Sequence, residues 1–271
     1  MSAPDGGLDL DALDDLYEKA RAAEDAGDLA GAERLFRACL ALDPADHCGV
    51  AMRLAALGLA RPDRAPPAYV ASLFDQHAEV FDAVLVDALG YRVPTLARRL
   101  AGRHVAPGVR MLDLGCGTGL AGVAFRDLAA EAVGVDIAPN MLALADERCV
   151  YDALYEAEAV AFLETWDEEP FDLILATDVW PYLGDLAPFA AAAARCLVPG
   201  GHLIASTERA DEGWRVNAGH RFAHATDYVS RTLAAAGLET AAVQRIVVRK
   251  EEGEPVPGDL VLARDTRPVE D

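Results

Sequence analysis

The sequence predicts an α/β fold, a mostly parallel sheet covered by helices on both faces, with an α-helical module in front of it. Three observations carry this. Short apolar β-rich runs alternate with longer amphipathic runs from Val109 onward, the pattern of a parallel sheet wound with helices. The first run, Val109 to Leu114, enters a turn with glycine at Gly115, Gly117 and Gly119 before a helical stretch begins. Upstream of it, apolar residues recur at helical spacing. With 271 residues, 52% hydrophobic and 25% charged, the chain can bury one sizeable core and a smaller module.

The first module spans residues 1–64. Leu16, Ala20, Gly27, Ala32, Phe36 and Pro44 fall at tetratricopeptide (TPR) intervals, small and aromatic residues packing two antiparallel helices and a proline closing the unit. A second repeat starts near Asp46, with Val50, Leu54 and Leu57 in helical phase, but Arg61-Pro62-Asp63-Arg64-Ala65-Pro66-Pro67 breaks it before a partner helix can form. Such a module is too short to fold alone. It reads equally as a hairpin packed on the rest of the chain or on a second subunit and as a peptide-binding groove. Residues 65–106 form a helical connector. Tyr69 to Ala88 carries Val70, Leu73, Phe74, His77, Phe81, Val84 and Leu85 on a stripe of one or two helices, and Tyr91 to Leu100 reads as another helix begun near Pro94.

The third region, 107–267, contains a strand at 109–114, a helix at 119–130, a strand at 132–136 and a helix at 139–148. A short strand at 153–156, a strand at 171–177, a helix at 185–197 and a strand at 201–206 follow. After a loop with Trp214 and His220 come a helix from Thr226 to Ala236 and two strands, Ala241 to Val248 and Asp259 to Ala263. Arg264 to Asp271 reads as a loose tail.

Glycines at 115, 117 and 119 can take positive φ and bring bare N–H groups to a ligand at a helix N-terminus. Their spacing alone does not select the ligand, because Gly117, Gly119 and Gly122 also fit the dinucleotide pattern G-x-G-x-x-G. Asp113, inside the preceding apolar strand, would sit badly beside a pyrophosphate and well beside a cation. Asp136 ends the next apolar run about 20 residues past the turn, where an acid meets ribose hydroxyls.

Leu112-Asp113-Leu114-Gly115-Cys116-Gly117-Thr118-Gly119 and Gly134-Val135-Asp136-Ile137 together resemble the class I S-adenosylmethionine-dependent methyltransferases, from about Pro107 to Arg267. Phe171 to Asp178 resembles that family's fourth strand and Leu197 to Ile204 the turn into its fifth. The resemblance implies a Rossmann-like sheet of seven strands, the last antiparallel, and S-adenosyl-L-methionine as cofactor. It implies that Gly115, Cys116, Gly117 and Gly119 approach the methionine and ribose portion, with Asp113 near the amino group and Asp136 on both ribose hydroxyls. Ile137 would pack on adenine, and Glu158 beside Ala159 would meet its amino edge, with Glu156 as an alternative. Thr177, Asp178, Trp180 and Tyr182 would face the methyl group, with the Glu212 to His224 loop completing the acceptor pocket. Asp178, Tyr182 and His224 are the catalytic candidates, with His77 and His220 as further proton acceptors. Leu73 to Asp82 resembles a lid over the cofactor.

Over its whole length the chain resembles bacterial predicted methyltransferases with an N-terminal TPR repeat, through Ala223 to Val229 and Val248 to Val256 as well. His77 stands where the resemblance leads one to expect tyrosine. Val179-Trp180 separates Asp178 from Pro181-Tyr182, unlike the uninterrupted Asp-Pro-Pro-Tyr run of adenine- and amide-directed enzymes, which points to a small-molecule acceptor.

A net charge of -21 opposes binding to nucleic acid or an anionic membrane. Five cysteines without a C-x-x-C pair argue for a reducing compartment and against structural zinc. The start Met1 to Gly7 is acidic where a signal peptide would be basic, and no apolar run approaches the ~18 residues of a membrane span, so the expected location is cytoplasmic. Expected partners are a small-molecule acceptor, with a protein partner or self-association through the TPR-like module as the second reading. A third, an NAD-linked dehydrogenase, rests on Gly117, Gly119 and Gly122.

Overall fold

Alternation in the Val109–Leu114 run places successive side chains on opposite faces of the sheet. Leu112 and Leu114 join one hydrophobic cluster, Val109 and Met111 another. The structure, a computed structural model, describes residues 8–268. The acidic start Met1 to Gly7 and the last three residues lie outside it.

Helices α1 (Leu10–Asp25), α2 (Leu29–Leu42) and α3 (Val50–Ala56) come first. The Asp9 and Asp28 carboxylates cap α1 and α2 through Ala12 N–H (3.1 Å) and Gly31 N–H (2.9 Å). Asp46 takes the N–H groups of Val50 and Ala51 at the start of α3. These helices share a core of Leu13, Ala20, Phe36, Val50 and Leu54. The connector holds α4 (Pro67–His77), a 3-10 turn at Ala78–Val80, a π-helical turn at Ala83–Ala88 and α5 (Val93–Ala101).

The sheet strands are β1 (Val109–Leu114), β2 (Ala129–Asp136), β3 (Ala153–Glu156), β4 (Phe171–Ala176), β5 (Leu197–Arg209), β6 (Trp214–Val216), β7 (Phe222–His224), β8 (Leu238–Glu251) and β9 (Glu254–Asp265). They alternate with α6 (Leu120–Phe125), α7 (Pro139–Glu147), α8 (Ala159–Thr165), α9 (Ala187–Cys196) and α10 (Thr226–Ala235). The main order is β3-β2-β1-β4-β5-β9-β8, parallel through β5, with β9 antiparallel to both neighbours.

The sheet has nine strands rather than the seven that the resemblance implies, because the Trp214 to His224 region is a hairpin and not a loop. Glu208 pairs with Gly258 on one edge and Ala223 on the other. The hairpin β6–β7 therefore occupies the edge of β5 that β4 vacates at Ala176. Three further differences have local causes. The helix after the glycine turn stops at Phe125, and β2 begins at Ala129, because Leu128 turns inward and its carbonyl accepts from Gly108 N–H. Glu158 starts α8, unmarked by any period in the sequence, by accepting from Ala161 N–H at 2.9 Å. Arg264 and Asp265 belong to β9, and Arg267 ties the segment after it to Asp265 and to the Ala194 and Leu197 carbonyls.

Candidate active site

A cleft partly open to solvent lies outside the carboxyl ends of the strands, where open α/β sheets place ligands. Gly115, Cys116 and Gly117, which follow β1, line it, as do Asp136, which ends β2, and Ile137 after it. Gly115 has φ +62°, and a Cβ there would lie 2.7 Å from Val179 Cγ2, so only glycine fits. The Asp136 carboxyl accepts from Gly117 N–H (2.8 Å) and Ala138 N–H (2.9 Å), binding the β1 turn to the β2 end. Burial raises its pKa above the ordinary carboxylate value, against those two bonds.

Ala157, Glu158 and Ala159 close the side beyond β3. Glu158 both caps α8 and meets Arg64 at 3.7 Å, while Glu156 is exposed and off the cleft. Arg64 belongs to a strap, residues 61–67, whose backbone runs along the Tyr182–Asp185 segment: Ala65 N–H donates to the Tyr182 carbonyl (2.8 Å), and Gly184 N–H to that of Asp63 (2.8 Å).

The rest of the cleft is apolar, walled by Val70, Phe74, Phe81, Leu85, Pro94 and Val179. Thr177, Asp178 and Tyr182 supply its polar end. Asp178 has φ +69°, a conformation that costs a non-glycine residue energy. Its N–H donates to Ser206 Oγ at 2.9 Å, and its Oδ1 accepts from Arg221 Nη2 at 2.6 Å. Arg221 Nη1 donates to the Tyr182 hydroxyl at 2.8 Å, and its Nε lies 2.8 Å from Glu208 Oε1. Arg249 Nη1 donates to that same oxygen at 2.6 Å. Burial opposes the Arg221 charge, but Asp178, Tyr182 and Glu208 outweigh it and hold its pKa well up. Burial also pushes the Tyr182 hydroxyl well above its ordinary pKa, so it stays protonated.

Ten of the thirteen expected site residues line this cleft: Gly115, Cys116, Gly117, Asp136, Ile137, Glu158, Ala159, Thr177, Asp178 and Tyr182. Asp113, Gly119 and His224 do not. Asp113 shares the Met111 side of β1 and is fully buried behind the turn, where Tyr151 O–H donates to its Oδ2 at 2.6 Å and Oδ1 has no partner. It does not face a cation in the cleft. Gly119 is the start of α6, against Arg148 and Tyr151. His224 is fully buried on β7, its Nδ1 2.6 Å from Thr207 Oγ1 and its Nε2 2.8 Å from the Leu183 carbonyl. Burial brings its pKa down to about 4, against the pull of the Leu183 and Gly184 carbonyls. Trp180 is buried edge-on against Phe189, away from the methyl site expected for it. Gly122 is glycine because a Cβ there would strike the Tyr151 ring at 2.5 Å, a packing need unrelated to a dinucleotide.

The cradle fits S-adenosylmethionine. Gly115 and Gly117, both of positive φ, give close approach, and the Asp136 oxygens, each accepting one hydrogen bond, keep lone pairs for ribose hydroxyls. Residues 112–205 match the family described as a methyltransferase domain. That domain covers β1 through most of β5. Over 101 residues the chain is 36% identical to the ubiquinone biosynthesis O-methyltransferase of Bradyrhizobium sp. (strain ORS 278), covering 37% of this chain and 40% of that protein. A Xanthomonas campestris protein of the same name is 31% identical over 111 residues, 40% of this chain and 46% of its own length. The chain thus matches less than half the length of these relatives.

Among solved structures, the 1,6-didemethyltoxoflavin-N1-methyltransferase of Burkholderia thailandensis, with 1,6-didemethyltoxoflavin and S-adenosylhomocysteine bound, superposes with a TM-score of 0.58 at 20% identity. It covers 76% of this chain and 93% of that one. The N-methyltransferase NodS of Bradyrhizobium japonicum WM9, in complex with S-adenosylhomocysteine, gives 0.57 at 19%, over 73% and 99%. Both show the methyltransferase fold. Arg64 and Tyr91 line the cleft without any spacing that announced them, and Arg221, within the Glu212 to His224 stretch expected to complete the acceptor pocket, stands behind its wall.

Proposed function

We propose that the protein transfers a methyl group from S-adenosylmethionine to a small-molecule acceptor. The observation that carries this is one cleft in which the glycine turn and Asp136 adjoin an apolar compartment ending at Asp178 and Tyr182. S-adenosylmethionine would supply an electrophilic methyl group whose transfer leaves the C–S electron pair on sulfur. The protein's part is then alignment and exclusion of water. Asp136 would accept from the ribose hydroxyls, Ile137 would pack on adenine and Glu158 Oε1 would meet its amino edge. Phe74 and Phe81 close the compartment, and Asp178 takes the acceptor's proton, which turns strongly acidic as its atom gains the methyl carbon. The name of the curated relatives supports oxygen as the acceptor atom.

Isothermal titration with S-adenosylhomocysteine tests the reading directly. Binding is expected in wild type and at least tenfold weaker in Asp136→Ala, since a hydrogen bond to a charged group is worth about 1.5–3 kcal/mol. If neither S-adenosylmethionine nor S-adenosylhomocysteine binds, the reading fails.

The spacing of Leu16 to Pro44 supports reading α1 and α2 as one TPR-like repeat. Met52 of α3 packs in a cluster with Tyr69, Tyr182, Trp214 and Phe222, which favours a structural role for the module over recruitment of a protein. Five free cysteines favour a reducing cytoplasm.

A further inference from the structure

We infer that Arg221 is the positioning residue of the acceptor site, and that the site it sets takes an uncharged hydroxyl group on an apolar ring system. The inference rests on the methyl-transfer reading and names the acceptor class within it. Arg221 itself stands behind the cleft wall, on the turn into β7, and acts through two residues that line it. Its guanidinium is a planar fork, and here the two ends of the fork hold different groups. Nη2 occupies Oδ1 of Asp178, and Ser206 fixes the same residue through its backbone N–H. Among the described residues nothing donates to Oδ2, which leaves that oxygen as a hydrogen-bond acceptor at the cleft. Nη1 occupies a lone pair of the Tyr182 oxygen, so the Tyr182 hydrogen turns away from Arg221 and is free to donate. The guanidinium carbon also lies 4.9 Å from the centroid of the Tyr182 ring, holding the ring as well as its hydroxyl.

One acceptor and one donor side by side match a hydroxyl, which gives one hydrogen and takes one. Charge at this end is internally balanced. Arg221 and Arg249 face Asp178 and Glu208, with the exposed Glu251 on the outer side of Arg249; of the other charged side chains on the wall, Arg64 and Glu158 face each other, and Asp136 stands at the glycine turn, held by backbone N–H groups. A carboxylate or ammonium on the acceptor would enter with no counter-charge, beside Val70, Phe74, Leu85 and Val179, and would lose its hydration without compensation. Hydroxyl-bearing apolar rings keep both hydrogen bonds and bury their ring against those walls. The methylated product, lacking the hydrogen, loses the bond to Asp178 Oδ2.

Ligand-observed NMR on the protein saturated with S-adenosylhomocysteine tests this with three probes of one shape: 2-naphthol, naphthalene and 2-naphthoate. Wild type is expected to bind 2-naphthol about tenfold more tightly than either of the others. Arg221→Met should bring 2-naphthol within about twofold of naphthalene while S-adenosylhomocysteine affinity holds within about twofold. Arg221→Lys, which can reach one of the two groups, should retain an intermediate preference. Should Arg221→Met not fold, the near-isosteric Asp178→Asn and Tyr182→Phe are each expected to lower the preference to an intermediate value, since each alters one of the two hydrogen bonds. The inference is overturned if wild type binds 2-naphthol no more tightly than naphthalene, if 2-naphthoate binds best, or if the preference is undiminished in the folded variants. Failure of S-adenosylhomocysteine to bind at all would overturn the methyl-transfer reading instead.

Discussion

At the scale of single residues, the acid two positions before the glycine turn has a different task from the one its sequence position implies. Burial pushes the Asp113 carboxyl up to about 7, against the Tyr151 hydrogen bond. An acid raised in the folded state binds more protons there than when unfolded. Its stabilising effect is therefore complete below about pH 4 and is lost as pH rises toward 7. Asp113→Asn keeps the acceptor for Tyr151 and removes the ionisation that burial makes costly. Denaturant melts should show the variant gaining on wild type by on the order of 2–3 kcal/mol between pH 5 and pH 8. A gain independent of pH would mean that Asp113 is ionised throughout. His224 works in the opposite sense. Its depressed pKa of about 4 makes wild type lose stability as pH falls below about 6.5, so between about pH 4 and 6.5 the two buried groups act in opposite directions and largely offset each other.

At the scale of elements, two segments that lack strand character, the lid and the strap, supply much of the cleft's apolar wall. The lid from α4 to the π-helical turn is tied down at two points. Asp75 accepts from Asn140 N–H at the start of α7 (2.9 Å), and Asp82 accepts from Thr118 Oγ1 (2.6 Å) and pairs with Arg148. The second tie spans the glycine turn, because Thr118 belongs to it. Asp82→Ala removes both Asp82 contacts, worth together about 1–3 kcal/mol. Stopped-flow measurement should then show S-adenosylhomocysteine leaving about 5- to 100-fold faster, with its association rate little changed. An unaltered off-rate would show that the lid is held by Phe74 and Phe81 packing alone. The strap and the β6–β7 hairpin act together: Arg61 lies 4.8 Å from the Trp214 ring centroid, and Trp214 packs edge-on to Phe222.

For the whole molecule, the packing of Met52 against Tyr69, Tyr182, Trp214 and Phe222 joins the N-terminal helices to the cleft. A chain starting at residue 61 keeps the strap but loses Met52 and α3 from the cluster that holds Tyr69, Tyr182 and Phe222. It should melt several degrees lower, as losing a buried methionine's contacts costs about 2–5 kcal/mol, and its Trp214 emission should shift to the red. A melting temperature equal to the full chain's would show the module to be independent. Most of the strand order, the glycine turn and Asp136 are legible in the residues, because strand-turn-helix units are local and their periodicity survives in the sequence. The two-stranded addition is not, because Trp214–Val216 and Phe222–His224 are too short to show a period. Asp113, Gly119 and His224 lie away from their expected places because a motif gives a residue's position along the chain and not the side to which it points. Local patterning is enough to dictate the sheet, the turn and therefore the end of the sheet where a ligand binds. The resemblance marks the lid, but the rest of what surrounds that ligand is settled only in three dimensions, because the strap lines the cleft and Arg221 acts from behind its wall through contacts between segments far apart in the chain, and such contacts leave no spacing to read.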